Sequence, residues 1–481
     1  MSSQTRTGHE RRAGRFIPTQ RRPEQNKPEQ NWRTVSRQLN GAAVALATLL
    51  AVNGAHAEDP AAKTSEETTA AAAPVPWLFG DWGGYRTRLQ QDGIDLQLGY
   101  TAEIAANTEG GTDRKAAYTD QWTFGATLDL DRLLGLHDAR FQITFTDRNG
   151  RNLSDDAHLG TLQQVQEVFG RGQTWRLTQF WFDQKYFDGL LDWKVGRLGV
   201  GEDFASFACD FQNLTFCGSD PGNLVGNYVF NWPVSQWATR LKVALDDFGY
   251  VQIGAYDINP KYLNTDAEDA LLPVFFSDST GVMLPVEVAW LPQFSNGTLP
   301  GSYKFGVWVD TSDASDVVNV LGTVAATNPG VPVDQDHGRF GGYINFEQQI
   351  TRTATENPKG GLRLFLNAVF ADDRTATTDR QIAGGLLYTG PFSSRPDDDV
   401  AFAIGTTHVN DRVADAQSLG NGLGLGPTPV QHSEYVFELY YTLRPVSGLL
   451  FRPNLQYILD PGGTSHNQDA FVMGLKVGAN F

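Results

Sequence analysis

Long apolar runs are largely missing from this sequence. Beyond residue 57, no stretch of the 481-residue chain approaches the roughly 20 continuous apolar residues that a membrane-spanning helix needs. Mean hydropathy is negative, at -0.33. If this chain crosses a membrane, it must therefore do so with strands.

Cysteine is also scarce, since Cys209 and Cys217 are the only two. They lie close together, and an oxidising compartment would let them close a small disulfide loop. Two free thiols are the alternative, and a metal site would need His or Cys ligands nearby. Histidines fall in turns, loops or strand ends without ligand spacing, and we expect no metal or cofactor. After residue 57 they are His137, His158, His337, His408, His432 and His466.

Basic charge is concentrated at the N-terminus. Residues 1–57 carry nine Lys and Arg against three Asp and Glu, a net charge of +6, which leaves −23 for the remainder. An apolar run over 39–52 follows basic residues and precedes a small-x-small cleavage site at 55–57. We predict a signal peptide with a basic N-terminal extension over 1–57. The acidic remainder argues against a nucleic-acid partner.

From Ile94 onwards, apolar and polar side chains alternate with the period of two that is typical of strands. About sixteen such segments follow one another, most with 9 to 13 residues, a length at which tilted strands cross a bilayer. They begin near Ile94, Gln121, Arg140, Gln173, Leu190, Ser235, Tyr250, Val282, Ser302, Arg339, Gly361, Gln381, Asp398, Ser433, Leu449 and Asp469.

The connections between these segments alternate in length. Most of those after odd-numbered segments are long, including the first, and those after even-numbered segments are short, such as Asp188-Gly189. An even strand count with this alternation is typical of outer-membrane barrels. The sequence therefore predicts an all-β fold, a closed antiparallel transmembrane barrel over 94–481. Residues 58–76 are predicted to be a flexible lead-in, and 77–93 a short periplasmic helix from Trp82 to Gln91.

The last segment, "DAFVMGLKVGANF", places an apolar face at the very end of the chain. Lipid would cover Phe471, Met473 and Leu475, with Phe481 at the periplasmic interface. Two segments break the alternation. Leu177 and Phe180 can share a face only if a bulge separates them, and a bulge at Gly196 would re-aim Arg197.

A water-filled barrel needs a constriction rather than a catalytic group. Arginines and carboxylates can hydrogen-bond sugar hydroxyls, and aromatic rings can cover a sugar ring, although each charge could equally be a solvated lumen group. The connection Gly199 to Val234, stapled by its cysteines, is the best candidate for folding inward; a protected external loop is the alternative. Inward charges are Glu103, Arg148, Arg240, Lys242, Lys304, Glu347, Arg363, Glu438 and Arg444.

Four stretches carry a family resemblance: "FGDWGGYRTRLQQDGIDLQLGYTAE", "TQFWFDQKYFDGLLDWKVGRLGVGEDFA" leading into "CDFQNLTFCG", "WPVSQWATRLKV" and "LRPVSGLLFRPNLQYILDPGG". Over 77–481 the chain resembles the OprB family of carbohydrate-selective outer-membrane porins. The resemblance implies sixteen strands, passive diffusion of small neutral sugars such as glucose, and recognition of Phe481 by the barrel-assembly machinery. It leaves monomer or homotrimer open. It implies channel roles for Arg176, Arg197, Arg240, Glu103, Asp203 and Asp210.

Two other functions compete with a porin. An exported all-β carbohydrate-active enzyme, similar to a glycosidase, would be water-soluble, and its apolar strand faces would pack on each other. A surface adhesin on a barrel anchor would need a large passenger domain, which the longest connection, with about 36 residues, does not supply. Outer-membrane lipid is the expected surrounding of the porin.

Overall fold

The computed structural model describes residues 77–272, 276–353 and 357–481. The predicted signal peptide (1–57) and lead-in (58–76) lie outside these described residues. Within them, no helix combines the length and the apolar character needed to cross a membrane.

Sixteen antiparallel strands close into one barrel, in which each strand pairs with its neighbours in sequence and β1 pairs with β16. All sixteen predicted strands are confirmed, with starts within six residues of those expected. The strands are β1 (Ile94–Glu109), β2 (Ala116–Asp129), β3 (Ala139–Gly150), β4 (Trp175–Tyr186), β5 (Leu191–Leu198), β6 (Gln236–Leu245), β7 (Gly249–Ile258), β8 (Gly281–Trp290), β9 (Leu299–Asn319), β10 (Val333–Gln349), β11 (Gly361–Ala371), β12 (Thr378–Thr389), β13 (Asp399–Val409), β14 (Ser433–Val446), β15 (Leu449–Leu459) and β16 (Ala470–Asn480).

Short helices occupy the ends and connections of the barrel. None of them contributes to the wall, which strands alone build. The α-helical segments are Tyr85–Gln91, Leu130–Leu134, Leu153–Asp156, Val200–Asp203, Asp220–Leu224, Ala267–Leu271, Phe294–Gly297 and Asp411–Gly422, and the 3-10 turns are Trp82–Gly84, Glu167–Phe169, Leu214–Phe216, Pro260–Leu263, Phe276–Asp278, Ala325–Thr327 and Pro461–Gly463.

The outside of the barrel is apolar and the inside polar, as the alternation predicts. On the outside, Met473 of β16 is 51% exposed and Phe305 of β9 is 52% exposed. On the inside, Lys476 of β16 stands opposite Glu103 of β1, and both are buried. Such an outer face suits hydrocarbon, because lipid tails cover apolar side chains without needing hydrogen bonds.

One of the two predicted bulges is present. In β4 the residue Thr178 is extra: Gln179 pairs with Thr144 of β3, and Leu177 pairs with the next residue, Phe145. This bulge lets the outward face continue past the break in alternation.

The bulge predicted at Gly196 is wrong, because β5 pairs with β4 and β6 without a register shift. Gly196 instead adopts a φ of 141°. A Cβ there would lie 2.3 Å from the carbonyl oxygen of Phe180, so glycine permits a close strand approach. Arg197 is buried under the ring of Tyr262.

The predicted alternation of connection lengths holds only in part. The first connection, Gly110 to Lys115, is short, because the side chain of Asn107 ties it into a tight turn by donating to the carbonyls of Gly110 and Asp113, 2.8 Å each. Some even connections are longer than predicted, such as 130–138, which contains a helix.

The N-terminal helix packs at the barrel end at which the chain terminates. A 3-10 turn, Trp82–Gly84, leads into the helix Tyr85–Gln91, and Gly93 ends it with the predicted positive φ, 92°. Arg86 donates to the carbonyl of Leu96 and to Phe481. The last residue is therefore docked rather than frayed.

Candidate functional site: two loops inside the barrel

The connection 199–235 between β5 and β6 folds into the lumen, and we call it the pore loop. Near its start, the backbone N–H of Ala205 donates to Glu287 of β8 at 3.0 Å. On the far side of the barrel, the N–H groups of Gln212 and Asn213 donate to Glu438 of β14 at 2.9 and 2.8 Å. Residues 205–213 of the pore loop thus cross the lumen and are hydrogen-bonded to the barrel wall on both sides.

A second connection, 151–174 between β3 and β4, also folds inward, which the sequence reasoning missed. Its residue Val168 donates its N–H to Glu103 of β1 at 3.2 Å. Leu162 donates in the same way to Glu434 of β14 at 2.7 Å. The signal available in the sequence was apolar residues in a connection otherwise expected to be external, such as Val165, which is fully buried.

Few residues of the pore loop are exposed. They are Ala208, Cys209 and, farther along the loop, Asn227, whereas Phe211 to Thr215 and the start of the loop are mostly buried. Cys209 and Cys217 form a disulfide, as the spacing suggests. We call the segment Ser206–Asp210 the exposed stretch. The disulfide ties this stretch to the buried part of the same loop.

The first charged cluster surrounds Arg240 of β6. Its guanidinium lies 2.8 Å from Asp192, 3.4 Å from Asp203 and 3.7 Å from Asp183. Lys194 also binds Asp203, at 2.8 Å. Burial raises the pKa of the Asp203 carboxyl, but Lys194 and Arg240 outweigh it and leave that pKa below its usual value. Asp203 is therefore ionised and anchors the pore loop to the wall.

The second charged cluster lies on the other side of the lumen. Lys476 of β16 is 2.9 Å from Glu167 and 3.3 Å from Glu103. Nearby, Arg452 of β15 binds Asp210 at 3.2 Å. Burial raises the pKa of Asp210, but Arg452 and other cations outweigh it, so that pKa is lowered. This cluster joins both inward loops to β1, β15 and β16.

Arg176 and Arg197 lie apart from Arg240. Arg176 donates to the backbone carbonyls of Arg171 at 2.7 Å and of Tyr262 at 3.0 Å. Arg197 donates to the carbonyl of Ser235 at 2.7 Å. Both guanidiniums thus hold connections between strands, and both are almost fully buried.

The predicted residues therefore fall into three groups. Arg240 and Asp203 share one cluster, Glu103 and Asp210 belong to another, and the two remaining arginines hold backbone. The sequence reasoning missed Lys194, Arg452 and Lys476 as cluster members. Each alternates with outward apolar neighbours, so strand parity was the signal that could have found them.

Part of the inner wall of β1 to β4 consists of hydrogen-bonded amides and hydroxyls. Gln142 donates to Gln97 at 3.0 Å and to Thr144 at 2.8 Å. Thr144 donates to Gln179 at 2.6 Å, and Gln179 donates to Glu202 of the pore loop at 2.8 Å. The amides and hydroxyls of this chain offer donors and acceptors without adding charge, and the chain ends on the carboxyl group of Glu202.

The sequence that builds this barrel matches a known family model. The model for the carbohydrate-selective porin, OprB family, matches residues 113–481. The chain belongs to this family. It is an outer-membrane porin for carbohydrates, and its family marks it as a channel rather than an enzyme.

Individual relatives agree with this assignment. The chain is 43% identical over 414 residues to Porin B of Pseudomonas aeruginosa, covering 83% of this chain and 90% of that protein. The solved high-pH structure of Pseudomonas putida OprB is 43% identical, with a TM-score of 0.80, over 84% of this chain and 98% of that one. The low-pH structure of the same protein gives 33% identity and a TM-score of 0.54, over the same shares.

Proposed function

We propose that this porin passes small neutral monosaccharides such as glucose by passive diffusion, and that its narrow region selects them. The supporting observation is the pairing of lumen charges. Arg240 and Lys194 are neutralised by aspartates, and Lys476 by glutamates. A solute passing these clusters meets many hydrogen-bonding atoms and little uncompensated charge, which favours neutral hydroxyl-rich molecules over ions.

Within this proposal, Asp210, whose side chain is 34% exposed, hydrogen-bonds sugar hydroxyls. Arg240, Asp203 and Glu103 are buried, and they shape the channel by holding the loops against the wall. Phe207 of the exposed stretch supplies an apolar surface for the sugar ring. It is partly buried, and its ring centroid lies 5.0 Å from that of Phe365.

Two partner assignments remain predictions. One is recognition of Phe481 by the barrel-assembly machinery, and the other is association into homotrimers. Arg176 and Arg197 act in the proposal by keeping the connections in place, since their guanidiniums are occupied by backbone carbonyls.

Uptake into proteoliposomes tests the proposed substrate class. Liposome swelling with glucose should be several-fold faster than with a charged solute of similar size, because the lumen clusters are charge-balanced. Swelling that ignores solute charge would remove the selectivity proposal. Arg240→Lys keeps the charge but loses the planar fork, and it should slow glucose entry. Arg444→Lys, at an Arg–Asp pair near the end of β14, is the matched control and should leave glucose entry unchanged.

A further inference from the structure

Four glutamates on the inner wall share one structural role. Each is completely buried, and each accepts at least one backbone N–H from an inward-folded loop. Polar wall residues that faced a solute would instead keep solvent-accessible oxygens. The four are Glu103, Glu287, Glu434 and Glu438.

Among them, Glu438 binds the pore loop where the loop reaches the far side of the lumen, at residues 212 and 213. Its two oxygens accept the consecutive N–H groups of Gln212 and Asn213. The neighbouring cations are engaged by other carboxylates, Lys476 by Glu167 and Arg452 by Asp210. The pair of amides therefore supplies the direct hydrogen bonds that a buried carboxylate requires.

The two residues whose N–H groups bind Glu438 lie next to the exposed stretch. Gln212 follows Asp210 by two positions, and Cys217 is bonded to Cys209 just after the turn Leu214–Phe216. A displacement of the amides at 212 and 213 would therefore move Cys209 and its neighbours. This anchor therefore positions the exposed stretch from one side, in addition to the direct contacts of Lys304 with Ser206 and of Arg452 with Asp210.

We propose that Glu438 is the positioning residue that fixes the pore loop across the lumen and thereby sets the width of the channel. Its carboxylate does this by presenting one oxygen to each of the two loop amides. Glutamine cannot reproduce this arrangement, because its side-chain nitrogen is a donor and would face one of the two N–H groups. The consequence for sugar selectivity rests on the proposed function; the consequence for channel width does not.

Glu347 of β10 offers a matched control. It also faces inward and carries the same charge, but its side chain is 28% exposed and pairs with Arg363 at 3.1 Å. Among the described residues, Glu347 is not an acceptor for any inward loop amide. Glu347→Gln removes the same charge from the lumen without touching the anchor.

Single-channel recording of the purified porin in planar bilayers tests the inference. We expect Glu438→Gln to raise ion conductance about twofold or more and to increase open-channel noise, because the loop detaches from the wall. Block by glucose should weaken in the same variant. Glu347→Gln should keep the wild-type noise and glucose block. A Glu438→Gln channel with wild-type conductance and noise would overturn the proposal.

Other outcomes of these experiments also decide the question. If Glu438→Gln does not give the heat-modifiable folded band on gels, Glu438→Asp is recorded instead. Its side chain keeps the charge but is shorter, so wild-type conductance and noise in Glu438→Asp would overturn the proposal. If Glu438→Gln widens the channel while glucose fails to block even the wild type, the anchor stands and the sugar proposal fails. If glucose blocks both equally and conductance is unchanged, the anchor fails alone.

Discussion

The two faces of β16 obey opposite rules, although they alternate along the same eleven residues. On the outer face, the apolar side chain of Met473 is 51% exposed and needs no hydrogen-bond partner. On the inner face, Lys476 is 6% exposed and contacts Glu103, Glu167 and the carbonyl of Phe211. A side chain that faces lipid needs only to be apolar, whereas a buried charge on the lumen side needs a specific partner of opposite charge or a hydrogen bond.

This difference also separates what each face can tolerate. An outer position can exchange one apolar side chain for another, since hydrocarbon adapts to its shape. An inner residue such as Lys476 connects a strand to both inward loops, so its substitution disturbs several elements at once. Substitutions on the two faces should therefore destabilise the barrel for different reasons.

The largest expected effect is on the inner face. Lys476→Met leaves the buried Glu103 without its cation and leaves Glu167 with only Arg148, 3.8 Å away. Breaking a buried ion pair on one side costs about 3–5 kcal/mol. Urea unfolding of the barrel in lipid vesicles measures the loss. Lys359→Met, at a partly exposed lysine between β10 and β11, should change the free energy of unfolding by under about 1 kcal/mol. Equal losses in the two variants would contradict the special place of Lys476.

A smaller but still large effect is expected on the outer face. Ile404 lies in the middle of β13 and is 46% exposed. Ile404→Lys should destabilise the inserted barrel by about 2–4 kcal/mol, because a lysine near the bilayer midplane loses hydration. Ile404→Leu keeps the apolar surface and should be neutral in the same unfolding assay. A well-tolerated lysine would indicate that water or protein, not lipid, covers this face.

The last prediction is a pH dependence, and it concerns a buried group inside the pore loop. Burial raises the pKa of Asp220 from 3.8 to about 8. The folded loop therefore favours the protonated form of Asp220. The free energy of unfolding is highest below pH 4, where both states are protonated, and it declines as the pH rises to about 8. Asp220→Asn removes the titration. The melting temperature of the wild type should fall relative to that of Asp220→Asn between pH 4 and pH 8 and run parallel above it. Parallel curves throughout would contradict this.

The strands could be predicted from the sequence because lipid imposes one rule on every second residue. The bulge beside Leu177 followed from the same rule. The rule ends where the membrane ends: β9 continues to Asn319 and β10 begins at Val333, and in these polar extensions no lipid face marks the strand. The length of β9, 21 residues, was therefore not predictable.

The site was only partly predictable, for a different reason. Parity placed Glu438 inside the barrel, but nothing local to it indicated its partner, since Asn213 lies 225 residues earlier in the chain. Likewise Arg176 and Arg197 could be named as arginines of the right motifs, yet their backbone partners depend on how the connections fold. Contacts made by main-chain groups leave no trace in residue type.

The central claim is that lipid, rather than a second layer of protein, covers the outer face of the closed sheet. Spin labels placed singly along β16 of the reconstituted protein, from Phe471 to Leu475, test it most directly through their collisions with oxygen, which partitions into lipid, and with a water-soluble nickel complex. The account predicts high oxygen access at positions 471, 473 and 475 and low oxygen access at 472 and 474. Uniform access along the strand, or access of the nickel complex at 473, would contradict it.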